Sequence, residues 1–330
     1  MLKAFLLTCD ERFDIYINSF LQAKSNHLFN EPAYFKLHSQ SDNDCYAQLV
    51  RRDNKKVYAT LAFHHTADGN YFSPGRGTFG GLSLNEELEL FALEKFIQAV
   101  TLHVRNQGAQ MMCIKCAPAS HDNALFAIEF NILTRLGFRS FDSELNYSMH
   151  TDIRAFKDRI DYGNVKRIRK MKREGFICGR ADVELLPAVH KLLAENRARQ
   201  GVLVSMSLDQ LRLMFSLFPE KMHLFAVYRN STRQEMVAAA VCIEVSSSIL
   251  YVLYWGDQEG MRSYSPVAMV AASIYAYCAE HGFNLMDIGI STLKGEPNHG
   301  LVNFKRNLGF TESTKIEMVW QNKLGKDVKL

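Results

Sequence analysis

The sequence lacks the features that mark membrane and secreted proteins. In 330 residues that are 47% hydrophobic and 22% charged, no apolar run approaches the ~20 residues that a membrane-spanning helix needs. The apolar stretch 4–9 near the N-terminus is followed by charged residues, and it is shorter than the ~7–15-residue core of a signal peptide. We therefore expect a cytoplasmic protein without a membrane span.

Disulfide and metal-site patterns are also missing. The seven cysteines are an odd number scattered along the chain, which argues against a disulfide framework. Cys113 and Cys116 form a lone CxxC, and no second CxxC or histidine pair at zinc spacing accompanies it. Their short apolar segment is typical of a buried strand. We predict reduced structural thiols and no metal, and we find no Ser/His/Asp arrangement typical of a hydrolase.

The formal net charge of +4 is too small to indicate a general nucleic-acid binder. One segment nevertheless concentrates cations: Lys166, Arg167, Arg169, Lys170, Lys172 and Arg173. Contact with phosphate or tRNA, with Arg167, Arg169 and Lys170 as binding residues, is one interpretation of this segment. A solvated helix face is the other.

The chain carries an internal repeat. In the first half, a helix-like segment 85–106 is followed by an apolar strand 111–116, a second helical stretch ending in Leu-Gly-Phe at 136–138, and a strand 144–150. In the second half, a helix opening at Pro266 and ending at Gly282 is followed by the same three elements, with Leu-Gly-Phe again at 308–310. Because four elements recur in order at a nearly constant offset, we infer a tandem duplication.

Each copy also has short strands before its main helix, and turns such as 68–70 join them as antiparallel hairpins. The strands linked by helices are expected to be parallel. The fold class predicted is therefore α/β with a mixed α+β sheet, present twice. We expect one domain at 1–152 and a second at 153–330, the second beginning with the basic connecting helix.

This order of elements resembles the GNAT fold of acyl-CoA N-acyltransferases, and its duplication resembles the FemAB-like peptidyltransferases. Segment 165–175 is similar to the basic helix after the first domain of that family. Segments 287–291 and 300–309 are similar to the family's "D-x-G" strand end and "G-x-x-x-F-K-x-x-x-G" helix. The long charged heptad segment of the larger family members is missing.

The resemblance implies an enzyme that moves an activated acyl or aminoacyl group to an amine by direct attack. It implies acyl-CoA or aminoacyl-tRNA as co-substrate, no tightly bound cofactor, and a small-molecule or peptidoglycan-precursor-like amine as acceptor, with tRNA as a partner. It also implies that Lys305 contacts the reacting acyl ester. The alternatives are an acyl-CoA-dependent N-acetyltransferase acting on a small amine and a non-catalytic pair of domains that binds an acidic ligand or RNA.

The residues themselves suggest roles in the second copy. The ammonium of Lys305 could stabilise an oxyanion, or belong to a solvated helix lysine, and we expect it to be partly exposed. Asp287 could orient an amine or accept its proton, or cap a turn. Asn298 is polar where ordinary GNAT enzymes place an active-site asparagine. The remaining candidates for contact with substrate are Phe304, Gly289 at an expected bulge, Ser291 and Tyr254.

A glycine-rich stretch in the first half precedes the helix-like segment, where GNAT enzymes place the loop that cradles coenzyme A. Its spacing differs from the GNAT donor loop. One interpretation is an anion-binding nest of backbone amides, formed by Gly75, Arg76, Gly77, Gly80 and Gly81. The other is a flexible hairpin tip.

Overall fold

The computed structural model describes residues 4–23, 27–261 and 263–322, which form two compact units. The first unit contains the residues up to 145, together with 293–296 and the chain from 313 onward; the second contains 146–292 and 297–312. Within the described residues, no helix combines the length and apolar character needed to cross a membrane.

The first half of the chain contains eight strands and three α-helices in the described ranges. In chain order they are β1 (Phe5–Thr8), β2 (Phe13–Ile17), α1 (Pro32–His38), β3 (Cys45–Arg51), β4 (Val57–His65), β5 (Asn70–Ser73), β6 (Ser83–Leu84), α2 (Leu90–Asn106), β7 (Met111–Lys115), α3 (Asn123–Arg135) and β8 (Arg139–His150).

In the second half, three α-helices and one strand precede the repeat of the meander, helix, strand, helix and strand. Its elements are α4 (Tyr162–Arg173), β9 (Ile177–Ala181), α5 (Leu186–Ala198), α6 (Leu208–Leu217), β10 (Met222–Tyr228), β11 (Met236–Ser246), β12 (Ile249–Asp257), α7 (Pro266–His281), β13 (Leu285–Ile290), β14 (Thr292–Leu293), β15 (Glu296–Pro297), α8 (His299–Asn307) and β16 (Thr311–Gln321).

In the first unit, the strands from β1 to β5 pair as an antiparallel meander. β5 then pairs in parallel with β7, and the end of β16 pairs antiparallel with β7. A segment near the C-terminal end of the chain therefore belongs to the first unit. The short β6 pairs with β4.

In the second unit, β9, β10, β11 and β12 form an antiparallel meander, and β12 pairs in parallel with β13. The end of β8 pairs antiparallel with β13. The predicted mixed α/β architecture is confirmed. The units follow packing rather than chain order, because β7 pairs with the end of β16 and β13 pairs with the end of β8. The boundary at 152/153 stays a prediction.

The main helix of each copy is positioned by its apolar side chains. In α7, Val267, Val270, Ile274 and Cys278 are buried as the pattern predicts, and the last three belong to the core of the second unit. In α2, Leu93, Ile97, Val100 and Val104 are buried. The predicted start of α2 is wrong: the helix begins at Leu90 after Glu89, and the Leu90 side chain is exposed.

Glycines end the helices in both copies, with left-handed φ angles of 88° at Gly137, 77° at Gly282 and 78° at Gly309. Only glycine adopts this conformation without steric cost. Gly309 has a second constraint, because a Cβ built on it would lie 2.4 Å from the backbone oxygen of Arg159. A Cβ on Gly282 would meet nothing within 4 Å.

This difference predicts unequal effects for one substitution. Gly282→Ala should lower the free energy of unfolding by about 1–2 kcal/mol, the cost of a left-handed alanine. Gly309→Ala should cost about 3 kcal/mol or more, because backbone displacement adds to that strain. Urea denaturation of both variants measures the difference. Equal losses would contradict the packing described around Gly309.

Candidate active site

In the second unit, the two parallel strands stop pairing partway along their length, and we call the region between their carboxyl ends the crevice. β12 and β13 pair over three positions, of which Tyr251 opposite Asp287 is the last. Beyond this point β12 has a bulge, since Val241 pairs with Tyr254 while Cys242 pairs with Val252. The two strands then continue without pairing with each other. The carboxyl ends of parallel strands that part in this way are a recurrent place for ligands.

β13 has a bulge on the edge that pairs with β8. Ser148 pairs with Asp287 and Asn146 with Ile290, so two residues of β13 lie opposite one residue of β8. Gly289 allows this geometry, because its φ is 72° and a Cβ there would lie 3.0 Å from the Tyr251 hydroxyl. The expected bulge at Gly289 is therefore present.

Lys305 reaches this bulge from helix α8. Its Nζ donates to the backbone oxygens of Ile288, Gly289 and Ile290 at 3.0, 2.7 and 2.8 Å. Because an ammonium has three N–H donors, each donor has a backbone acceptor. Lys305 is only 1% exposed. The expectation of a partly exposed lysine is wrong, because the helix directs this side chain under the strand rather than toward solvent.

Opposing electrostatic effects act on the buried ammonium. Burial lowers the pKa of Lys305 to about 7, the charge of Asp287 raises it, and the charge of Arg197 lowers it. The Nζ also lies 5.2 Å from the centre of the Tyr147 ring. The three carbonyls and the carboxylate of Asp287 therefore offset only part of the cost of removing the charged form from water, since the pKa of Lys305 stays below its ordinary value.

Asp287 is fully buried, and its oxygens accept hydrogen bonds. Oδ1 accepts the backbone N–H of Gly289 at 2.7 Å, and Oδ2 accepts the side-chain amide of Asn146 at 2.9 Å. The carboxylate thus fixes the bulge that holds Lys305. This arrangement fits a positioning role better than proton transfer.

Of the other candidate residues in the second copy, one caps a helix and two lie near the crevice. The Asn298 side chain caps α8 by accepting the N–H of Leu301 at 3.0 Å, so the structure gives it a local role. Ser291 is buried directly after the bulge, and its Oγ has no hydrogen-bond partner among the described residues. Phe304 is half-buried, with its ring centre 6.1 Å from that of Trp255.

Tyr254 is buried toward the segment between α5 and α6, where its hydroxyl bonds to the hydroxyl of Ser205. Arg197, which the sequence analysis did not identify, lies over the same ring. Its position could not be inferred from the sequence, because a cation near the end of α5 is also explained by the helix dipole.

The predicted cationic residues lie on the exposed side of α4. Arg167 bonds to the side-chain oxygen of Asn164 at 3.1 Å, and Lys170 lies 3.9 Å from the carboxylate of Glu174. Arg169 is exposed. In the part of the chain that the structure describes, no hydrogen bond or ion pair joins these three cations to the crevice residues.

The glycine-rich loop of the first unit uses several of its backbone amides for hydrogen bonds within the protein, and its anion-binding role stays a prediction. Three of its backbone N–H groups already have acceptors: Gly75 bonds to the His64 ring at 3.0 Å, Gly80 to the Lys115 backbone oxygen at 2.8 Å, and Gly81 to the Ser73 hydroxyl at 3.0 Å. Arg76 and Gly77 are exposed. These three amides are therefore occupied by contacts within the protein.

A buried carboxyl group that the sequence analysis missed holds the same loop. Glu129 on α3 accepts the backbone N–H of Leu82 at 2.8 Å. Burial raises the pKa of Glu129 to about 7, against the opposing effects of Leu82 and Cys116. A glutamate on an otherwise apolar helix face was the available signal. Among the residues that can be described, no group of three His, Cys, Asp or Glu side chains could hold a metal.

The burial of Lys305 predicts a stability effect. Lys305→Met should destabilise the protein by about 3–5 kcal/mol, because three backbone oxygens at the bulge lose their hydrogen-bond donor. Arg306→Ala removes the next cation, an exposed residue paired with Glu312, and should cost less than about 1 kcal/mol. Thermal and urea denaturation test this contrast. Equal stability of the two variants would contradict the burial of the ammonium.

Glu129 predicts a pH dependence. Its folded pKa lies above its unfolded value, so the folded state binds more protons between about pH 4.5 and 7. The resulting stabilisation is present below the unfolded pKa and is lost as pH rises through 7. Relative to Glu129→Gln, the wild type should therefore lose on the order of 3 kcal/mol of stability over this interval.

Urea denaturation at pH 4.5, 6 and 8 measures the stability difference between the wild type and Glu129→Gln. A difference that stays constant with pH would show that the Glu129 carboxyl group has the same pKa in the folded and unfolded protein.

Solved structures with the same architecture are known, whereas no family model and no curated protein matches the sequence. FemX has a TM-score of 0.68 and 16% identity, with 98% of each chain covered. L-PGS from Bacillus licheniformis has a TM-score of 0.54 and 11% identity, covering 86% of this chain and 85% of the other.

A tandem GNAT protein from the clavulanic acid biosynthesis pathway has a TM-score of 0.50 and 10% identity, covering 89% of this chain and 88% of that one. At identities as low as these, the comparisons establish similarity of fold. The expected resemblance is confirmed at that level: the chain has the tandem GNAT-like fold that FemX also has.

Proposed function

We propose that the protein is an acyltransferase that moves an activated acyl or aminoacyl group to an amine in the crevice of the second unit. The observation that carries this proposal is the parting of β12 from β13 beyond Tyr251, with the buried charge of Lys305 at the end of β13. The tandem GNAT-like fold supports the same class of reaction.

The open strand edge supports binding of an extended substrate. Residues 252–257 of β12 run beyond the last pair with β13. Backbone N–H and C=O groups at such an edge can pair with an amide-bearing chain, as in strand addition. Trp255 and Phe304 provide aromatic surface beside this edge. An acyl or aminoacyl donor therefore has both polar and apolar contacts in the crevice.

The reaction needs an amine, an ester or thioester, and stabilisation of negative charge. The amine nitrogen attacks the carbonyl carbon, and the carbonyl oxygen becomes negative as the C–N bond forms. The bond to the leaving oxygen or sulfur then breaks, and the proton lost by the amine passes to that leaving group. The protein itself is not covalently changed in this transfer.

Two crevice groups suit the developing oxyanion. Ser291 has a buried hydroxyl without a described partner, which can donate a hydrogen bond. Lys305 supplies positive charge in a site of low dielectric constant, where its effect is stronger than in water. Because backbone carbonyls occupy its three donors, Lys305 acts on the oxyanion through its electric field. It also fixes the strand end from which Ser291 follows. Asp287 holds both in place through the bulge.

The donor that best fits the charges is an aminoacyl-tRNA. The segment before α7 carries Asp257 and Glu259, and the helix begins with Pro266, which has no N–H. This helix start is unfavourable for the phosphates of coenzyme A. The exposed cations of α4, by contrast, suit the phosphate backbone of RNA. The acceptor is a small-molecule or peptidoglycan-precursor-like amine.

A donor panel tests the function. The purified protein is incubated with acyl-CoA thioesters or with a pool of radiolabelled aminoacyl-tRNAs, together with polyamines and peptides that carry a free lysine side chain. We expect label to move from aminoacyl-tRNA to an amine. Salt-dependent RNA binding without transfer from any donor would overturn the enzymatic proposal and favour a binding protein.

Removing the Ser291 hydroxyl tests whether this group takes part in the transfer reaction. Ser291→Ala should lower the single-turnover rate by ~10²–10³, the loss seen when one oxyanion donor is removed. Its stability should hardly change, because the hydroxyl has no described hydrogen bond to lose. Ser248→Ala, at the hairpin between β11 and β12, is the matched control and should retain the wild-type rate. A wild-type rate in Ser291→Ala would remove this serine from the mechanism.

A further inference from the structure

A half-buried arginine lies beside the crevice and has no acidic partner among the residues that the structure describes. Arg197, at the end of α5, is of intermediate exposure, and its guanidinium carbon lies 5.7 Å from the centre of the Tyr254 ring. Its charge also lowers the pKa of Lys305, after the larger effects of burial and Asp287. Because Tyr254 lies on β12 beyond the last pair with β13, the guanidinium over its ring lies beside the crevice.

The carboxylates near the crevice are already engaged. Asp257 accepts the Asn196 side-chain amide at 2.9 Å and lies 3.7 Å from the guanidinium of Arg199. Asp287 accepts the backbone N–H of Gly289 and compensates Lys305. Within the described ranges of the chain, Arg197 forms no ion pair. Its positive charge is therefore not neutralised by any carboxylate in those ranges.

The contact with Tyr254 uses the face of the guanidinium. A cation over an aromatic ring is stabilised by the ring, but the five N–H donors of arginine lie in the guanidinium plane. In Arg197, none of these five N–H groups has a hydrogen-bond acceptor among the described residues. A guanidinium held flat by a ring, with its edge free, is suited to bidentate binding of a carboxylate or phosphate.

We propose that Arg197 is the anion-binding residue of the crevice and that it recognises a carboxylate or phosphate group of the substrate. This inference rests on the proposed function only in taking the crevice as the place where substrate binds. It adds that the molecule in the crevice carries a negative group on the side of α5. The neighbouring Arg199 does not have this role, because Asp257 neutralises it.

Titration with two small anions tests the proposal. Pyrophosphate and glutarate serve as probes for phosphate and carboxylate, and calorimetry at 0.15 M salt measures their binding to the complete chain. We expect one of them to bind saturably. Arg197→Ala should weaken this binding by about ten- to a hundredfold, as loss of a charge-assisted contact does. Arg197→Lys should restore only part of it, because lysine lacks the planar fork.

A matched variant separates a specific site from general attraction to a basic protein. Lys191→Ala removes an exposed cation from the same helix and should leave the affinity for the probe unchanged. Equal affinities in the wild type and Arg197→Ala would overturn the proposal, as would the absence of saturable binding for both probes. Preference for pyrophosphate would identify a phosphate group, and preference for glutarate a carboxylate.

The binding assay is independent of acyl transfer, so the two proposals fail separately. Arg197-dependent binding without transfer from any donor would contradict the enzymatic function alone. Transfer without Arg197-dependent binding would contradict the anion site alone. Where transfer is observed, Arg197→Ala should raise KM with little change in kcat, as expected when a residue binds substrate and transition state equally.

Discussion

The burial of one ammonium group sets the geometry of the candidate active site. A lysine removed from water needs acceptors for its three donors and a compensating charge. The bulge of β13 supplies three backbone oxygens, and Asp287 supplies the charge. The bulge in turn needs Gly289 and the hydrogen bond from its N–H to Asp287. Lys305 thus belongs to the support of the crevice, and its influence on chemistry is electrostatic.

The two copies use buried ionisable groups in different ways. In the second copy, Lys305 on α8 donates to the end of a strand. In the first copy, Glu129 on the corresponding helix α3 accepts a backbone N–H from the segment after the glycine-rich loop. Three amides of that loop are occupied by contacts within the protein, whereas residues 252–257 of the second copy lie beyond the last pair of β12 with β13. This contrast supports placing the chemistry in the second copy.

Sequence patterns predicted those features that depend on nearby residues. The repeat, the burial of α7 and the glycines that end the helices follow from periodicity and from local backbone conformation. The strand partners of 146–150 and 317–321 did not follow, because alternating apolar residues do not specify which sheet they join. The burial of Lys305 was also missed, since its spacing on α8 leaves open whether the side chain lies under the neighbouring strand. The position of Arg197 beside the crevice depends on the packing of α5 against β12, which no local motif records.

The central claim is that the open edge of β12 is where the acyl donor binds. Hydrogen–deuterium exchange of the backbone amides tests it most directly, with the donor presented as acyl-CoA and as aminoacyl-tRNA in separate experiments. The account predicts that amides of residues 252–257 facing β13 exchange rapidly in the free protein, because they lie beyond the last pair with that strand. Donor binding should protect them, while the paired residues 249–251 should be protected throughout. Unchanged exchange in 252–257 at saturating donor, with protection confined to α4, would contradict the account.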